Sequence, residues 1–241
     1  MLTYGNSLTG TSGVNGDSYF ISSDTLMLSD GASGAGKEGK VIMSGLCAET
    51  VRNTPFSLSG LSVREYLDKI IKDINNKLIA ISQENNHYIF GTLVICVIQN
   101  DIATVAAVGD SPAFYIHEKS VTRVAKTKKT YHNLVELGLF TEEQLEDYVH
   151  KLPEHMWSMF DRFIPSVVPE YSIEEIALHK GDMIVLCCDG VSDHVEPSLI
   201  GELMQADCLA DSVGNIIKIA RERSEKGRNY HDDLTVAAYF H

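Results

Sequence analysis

Apolar and polar positions along the chain alternate in short stretches separated by turn residues, and in a few places recur at helical spacing. After a turn-rich opening from Gly5 to Gly16, Ser18–Ser22 and Thr25–Ser29 read as strands joined by a hairpin at Ser23-Asp24. Val41, Ile42, Leu46 and Val51 then fall at helical spacing. Ser62-x-x-Glu65 is a capping box that opens the clearest helix, with Val63, Leu67, Ile70, Ile71, Ile74, Leu78 and Ile81 on one face. Asn85, Asn86 and His87 break it. A meander follows, with strands over Gly91–Gln99, Ile102–Val108, Ala113–His117 and Val121–Ala125 and a two-residue turn at Asn100-Asp101.

From Lys126 to Ile164 the pattern is helical, with a second capping box at Thr141-x-x-Gln144 after Gly138. Pro153, Pro165 and Pro169 punctuate its end, and its apolar content is too thin for a separate core. The stretch at about 126–172 is therefore an excursion from one domain spanning 1–241. Met183–Cys188 is a nearly continuous apolar strand. Helices follow over Pro197–Gln205 and from a cap at Asp211 to about Arg223, and Leu234–Phe240 is the last strand.

With 44% hydrophobic residues over 241 positions, the chain can bury one large core. Its formal net charge of −13 disfavours a general nucleic-acid binder, which needs a basic face. No apolar run reaches membrane-spanning length, and the first residues lack the basic and apolar regions of a secretory leader. Five cysteines without a CxxC spacing argue against a disulfide framework or a zinc ribbon. Cys47, Cys96, Cys187 and Cys188 sit in apolar runs as core thiols, which points to a reducing, cytoplasmic compartment.

The chemistry gathers in turns. Asn15-Gly16-Asp17, Asp30-Gly31, Gly109-Asp110, Asp189-Gly190 with Asp193, and Asp232-Asp233 each set a carboxylate at a strand end beside a small or acidic residue. Gly31, Gly34, Gly36 and Gly39 after Asp30 let the backbone come close to a partner. Carboxylates brought together without cations raise one another's pKa and cost stability. Hard divalent ions are their natural counter-charge, and all-oxygen ligation favours magnesium or manganese. Ser111 and Ser192 lack an adjacent base, and neither a P-loop nor a GxGxxG motif is present. The residues by themselves point to a metal-dependent hydrolase acting on phosphoesters.

In order along the chain, these motifs resemble the metal-dependent type-2C serine/threonine protein phosphatases, most of all the bacterial members. Asn15-Gly16-Asp17-Ser18 is similar to the family's first acidic motif, and Asp30-Gly31-Ala32-Ser33-Gly34 to its Asp-Gly-x-x-Gly motif. Gly91-Thr92 and Val108-Gly109-Asp110-Ser111 are similar to the two central motifs. His132 to Glu143 resembles the flap-region helix pair, which makes the excursion flap-like. Gly181 to Asp193 is the closest match, and Asp232-Asp233-Leu234-Thr235 resembles the closing Asp-Asn-x-Thr.

The resemblance implies an α+β fold: a four-layer α-β-β-α sandwich of two packed antiparallel sheets flanked by helices. It implies two manganese or magnesium ions, with a third in bacterial members. Asp30 would bridge the ions, the Gly31 carbonyl would bind one, and Asp189 and Asp232 the other. Asp17 would hold metal-bound water, and Asp110 would serve the third ion. The implied reaction is hydrolysis of phosphoserine or phosphothreonine in a protein substrate by a metal-bridged water. A monomer in cytoplasmic signalling, opposing a cognate kinase and binding neither nucleic acid nor membrane, is the accompanying expectation.

Four positions depart from the family's pattern. Ser12 stands where members carry a phosphate-binding Arg, Ala32 where many have His, Pro112 for an Arg, and Asp233 for an Asn. Losing an Arg–phosphate contact would cost on the order of 1.5–3 kcal/mol. Lys37 or Lys40 could substitute, although a lysine after a glycine-rich loop is ordinarily solvated. The competing reading is a pseudophosphatase that binds a phosphoprotein or a kinase without turnover.

Overall fold

The computed structural model describes residues 2–32, 36–85, 89–125, 141, 171–226 and 231–241. Among them, ten strands form two five-stranded sheets, antiparallel in every pairing. One sheet runs β1 (Leu2–Leu8), β10 (Leu234–Phe240), β9 (Met183–Cys187), β6 (Ala113–His117), β7 (Ser120–Val124). The other runs β2 (Asp17–Ile21), β3 (Thr25–Asp30), β4 (Leu93–Gln99), β5 (Ile102–Val108), β8 (Ser172–Ala177). The helices are α1 (Gly36–Asn53), α2 (Phe56–Ser59), α3 (Val63–Asn85), α4 (Asp189–Ser192), α5 (Pro197–Leu203) and α6 (Leu209–Ser224).

The α-β-β-α layering expected from the sequence is present. Helix α1 packs on β2 and β3, α3 on β4 and β5, and α6 on β1 and β10, while β10 faces β2 and β3 across the sandwich. The two-residue period of a strand explains the split of its side chains. Leu26 and Leu28 of β3 join the inter-sheet core with Val94, Cys96, Val185 and Ala237. Met27, between them, turns to the helices and packs with Met43, Cys47, Leu67, Ile70 and Ile74. A strand covered on both faces reads as a continuous apolar run, which is how Thr25–Ser29 appears in the sequence.

Local signals act as their chemistry requires. The Ser62 N–H donates to Glu65 Oε2 at 3.0 Å and the Glu65 N–H to Ser62 Oγ at 3.4 Å, closing the capping box of α3. Asn100 and Asp101 have φ of 52° and 59°, so the β4–β5 hairpin turns through two left-handed residues between Gln99 and Ile102.

Several elements differ from the sequence reading. Strand β1 lies partly in the stretch read as turn-rich, and it pairs along its whole length with β10, from Leu2↔Phe240 to Leu8↔Leu234. Its Gly5 accommodates the Tyr19 ring, since a Cβ there would stand 2.6 Å from Tyr19 Cε2. Strand β8 was not anticipated, and its first residue, Ser172, is the last of the proposed excursion. Helix α1 starts at Gly36, five residues before Val41. Helix α6 starts at Leu209 with Cys208 as its N-cap, so Asp211 lies inside the first turn and complements the helix dipole there. The helical reading of Lys126–Ile164 lies outside the described residues except for Thr141, as do the helix breakers Asn86 and His87.

The helix-side core is tested by Ile70→Ala. Ile70 is fully buried between α3 and the β4–β5 sheet. Its truncation is expected to lower unfolding free energy by about 2–5 kcal/mol in chemical denaturation.

Candidate functional site

The sheet register gathers the acidic turns at one end of the sandwich. Asp17 opens β2 and pairs directly with Asp30, which closes β3. Past Asp30, Gly31 bridges to Gly91, and its N–H donates to the Gly16 carbonyl at 3.0 Å. A Cβ on Gly31 would fall 1.9 Å from the Lys40 carbonyl, and one on Gly91 2.2 Å from the Asp30 carbonyl. Only glycine allows three backbone segments and α1 to meet this closely. The neighbouring strands β9 and β10 supply the other half. Asp189 begins α4 after the single cap residue Cys188 that follows β9, and Asp232 precedes β10; a Cβ on Gly190 would sit 3.4 Å from Asp232 Cβ.

Burial and like charge act together here. Asp17 is buried, its Oδ2 accepts from Thr235 Oγ1 at 2.6 Å, and its Oδ1 has no hydrogen-bond partner. Burial pushes its carboxyl from 3.8 up to about 7; the Thr235 hydroxyl and the Cys188 thiol oppose this, and the charges of Asp233 and Asp189 add to it. Burial also raises Asp232, with Asp189 and Asp233 adding to the rise, and it raises Asp193, with Asp189 and Asp232 adding. The buried Cys188 thiol is raised well above its ordinary value by burial first, then by Asp17, Asp30 and Asp189. Asp17, Asp30, Asp189, Asp193, Asp232 and Asp233 thus share one electrostatic neighbourhood. The thiol within it is held protonated and is no nucleophile.

Two motifs approach from the β4–β6 side. Thr92 Oγ1 meets Ser111 Oγ at 2.6 Å, and the Asp30 N–H donates to Thr92 Oγ1 at 3.3 Å. Asp110 lies on the turn made by Gly109, whose φ is +89°, and Arg123 donates to the Asp110 carbonyl at 2.8 Å. The Pro112 carbonyl accepts from the Cys187 N–H, so this turn stands at the same end as Asp189. Ser33 and Gly34 lie outside the described residues, as does the flap-like stretch His132–Glu143 apart from Thr141.

The residue that sequence reasoning left undecided is Lys40. Its Nζ lies 2.8 Å from Asp233 Oδ2 with both side chains 5% exposed, and it also donates to Ser12 Oγ at 3.3 Å. Asp233 additionally accepts from the Gly10 N–H on Oδ1 at 2.7 Å and from the Gly16 N–H on Oδ2 at 2.8 Å. Lys40 is therefore an internal cation of the site rather than a solvated one. Lys37 is exposed and donates to the Ser12 carbonyl at 3.3 Å. The signal that could have found the pair was Asp233 itself, because a buried extra carboxylate calls for a buried cation.

One ammonium cannot balance this many carboxylates. Oxygen donors in excess, a buried and unpartnered Asp17 oxygen, and backbone made accessible by glycines suit hard divalent cations.

No protein-family model matches the chain. Serine/threonine protein phosphatase PstP of Mycobacterium tuberculosis is 25% identical over 210 residues, covering 86% of this chain and 39% of PstP. The chain thus spans about two-fifths of the length of the curated relatives it matches. The crystal structure of the M. tuberculosis phosphatase PstP/Ppp superposes with a TM-score of 0.76 at 21% identity, over 99% of this chain and 98% of that one. The PstP catalytic domain in complex with two manganese ions gives a TM-score of 0.75 at 21% identity, over 98% and 96% of the two chains. PppA, a key regulatory component of T6SS in Pseudomonas aeruginosa, gives 0.77 at 16% identity, over 98% and 96%. The chain has the fold of these bacterial proteins.

Lys40→Met, which leaves Asp233 buried without its cation, is expected to destabilise the protein by about 3–5 kcal/mol. Lys40→Met combined with Asp233→Asn should recover most of that loss, as read by a double-mutant cycle in denaturant. A second expectation concerns pH. Asp17 binds its proton more tightly folded than unfolded, so its contribution to stability is full below about pH 3.8 and is lost as pH rises through about 7. In EDTA, the melting temperature of wild type relative to Asp17→Asn should fall across that window, and added Mn2+ should reverse the fall above pH 7.

Proposed function

We propose that residues 1–241 form a metal-dependent protein-serine/threonine phosphatase domain hydrolysing phosphoserine and phosphothreonine esters. The observation that carries this reading is the meeting of Asp17, Asp30, Asp189 and Asp232 at one end of a sandwich with the fold of bacterial phosphatases. On this reading Asp30, the Gly31 carbonyl, Asp189 and Asp232 hold two manganese or magnesium ions, and Asp110 serves a third. The ions, when bound, supply a low-pKa water nucleophile and neutralise charge on the phosphoryl group.

The rest is the work of the chain. Asp17, fixed by Thr235, offers its open Oδ1 to hold and orient water and to accept a proton. Lys40 is committed to Asp233, which leaves the exposed Lys37 as the cation beside Ser12 for the substrate phosphate. A regulator that acted by occupancy alone would have no need to keep Asp30, Asp189 and Asp232 together beside Asp17, so the geometry favours turnover.

The same reading assigns the protein to cytoplasmic signalling, as a monomer opposing a cognate kinase, with a flap at about 126–172. Free buried thiols at Cys47, Cys96, Cys187 and Cys188 support a reducing compartment. Among the described residues, no helix is long and apolar enough to cross a membrane.

The test is hydrolysis of p-nitrophenyl phosphate and a phosphothreonine peptide with manganese, with magnesium and with EDTA. Turnover should require the metal and fall at least about 100-fold in Asp189→Asn, more than the loss typical of a group behind the ligands. Lys37→Ala should cost about 1.5–3 kcal/mol in kcat/KM on the peptide. Absence of turnover in wild type, with calorimetry showing manganese bound, would overturn the catalytic reading.

A further inference from the structure

Strands β6 and β9 carry a second constellation at their other ends. The β6–β9 register ends at Ile116↔Met183, which sets His117 beside Asp182. Asp189 follows β9 and Asp182 precedes it, so the two carboxylates stand roughly 20 Å apart at about 3.3 Å per strand residue. The Asp182 carboxylate is 2% exposed, yet His117 and His179 beside it are 48% and 70% exposed. Asp182 Oδ1 lies 2.7 Å from His117 Nδ1, and Oδ2 lies 3.4 Å from His179 Nδ1. The two imidazoles meet edge-on with centroids 5.6 Å apart, and one ligand atom from each of the three residues lies within 4.8 Å of the others.

The carboxylate is rigidly held from behind. Tyr115 Oη and the His179 backbone N–H each donate to Asp182 Oδ2 at 2.7 Å. Those two bonds already fasten the 178–182 turn. Ligand atoms around a tetrahedral zinc, each about 2.0–2.2 Å from the ion, lie about 3.3 Å apart. The His179 Nδ1–Asp182 Oδ2 separation of 3.4 Å matches that value, and the 2.7 Å His117 Nδ1–Asp182 Oδ1 contact is a hydrogen bond that an entering ion would replace.

We propose that His117, His179 and Asp182 form a second metal site, specific for zinc-class ions and separate from the acidic centre. Two imidazoles with one carboxylate select zinc, cobalt, nickel or copper over magnesium and manganese. The Tyr115 hydroxyl orients the ligating carboxylate from behind, as groups around metal ligands do. Exposed rings leave the fourth position open to water. The two centres are thus chemically orthogonal, and this site stands or falls independently of the phosphatase reading.

The test is a cobalt(II) titration of the whole chain followed by visible absorption. A tetrahedral nitrogen–oxygen site gives intense d–d bands, whereas a six-coordinate all-oxygen site gives faint ones. Wild type should show the intense bands at one ion per chain, and zinc should abolish them. Affinity should fall at least about tenfold in His179→Ala and in His117→Ala, and stay unchanged in Asp232→Asn. Both histidines are surface residues, and circular dichroism of each variant verifies its fold. Faint bands alone, or intense bands that survive both histidine substitutions, would overturn the proposal.

Discussion

The buried ion pair between Lys40 and Asp233 is the constraint on which the acidic end of the molecule rests. Asp233 alone ties together four parts of the chain: the Gly10 and Gly16 amides before β2, α1 through Lys40, and the entry to β10. Removing two charges from water is costly, and such a pair adds little net stability compared with an apolar replacement. Its geometric effect is larger. Because either partner alone would be an uncompensated buried charge, α1 cannot shift along β2 and β3 without breaking the pair. The position of α1 in turn seats Gly31 against the Lys40 carbonyl, and with it the Asp30 end of β3.

Antiparallel pairing explains why chemistry collects at the ends of the sandwich. Adjacent antiparallel strands place the start of one beside the end of the next. Asp17 at the start of β2 therefore faces Asp30 at the end of β3. Asp189, after β9, stands near Asp232, before β10. The four residues come from turns separated by up to 215 positions in sequence, yet need no long-range device beyond strand register. The same rule places His117 and Asp182 at the opposite end, because β6 and β9 are neighbours in one sheet.

What could be read from the sequence follows from where the information lies. Strands β4, β5 and β10 are buried on both faces and appear as nearly continuous apolar runs, so their limits were legible to within two residues. Strands β1 and β8 are edge strands with one wet face, and their half-polar patterns, LTYGNSL and SIEEIA, carry too little apolar signal. The acidic turns were visible because Asp beside Gly at a strand end is a local pattern. The role of Lys40 was not, because its partner lies 193 residues away and only the tertiary fold sets the pairing. Asp211 misled as a cap because a polar residue in a first turn and one at the cap look alike in sequence.

Two of the four departures from the phosphatase pattern, Ser12 and Asp233, meet at Lys40. Ser12 Oγ accepts from Lys40 Nζ at 3.3 Å, so the position where the family carries arginine here solvates an internal ammonium. Replacing the family's asparagine with Asp233 adds the negative charge that makes a buried Lys40 tolerable.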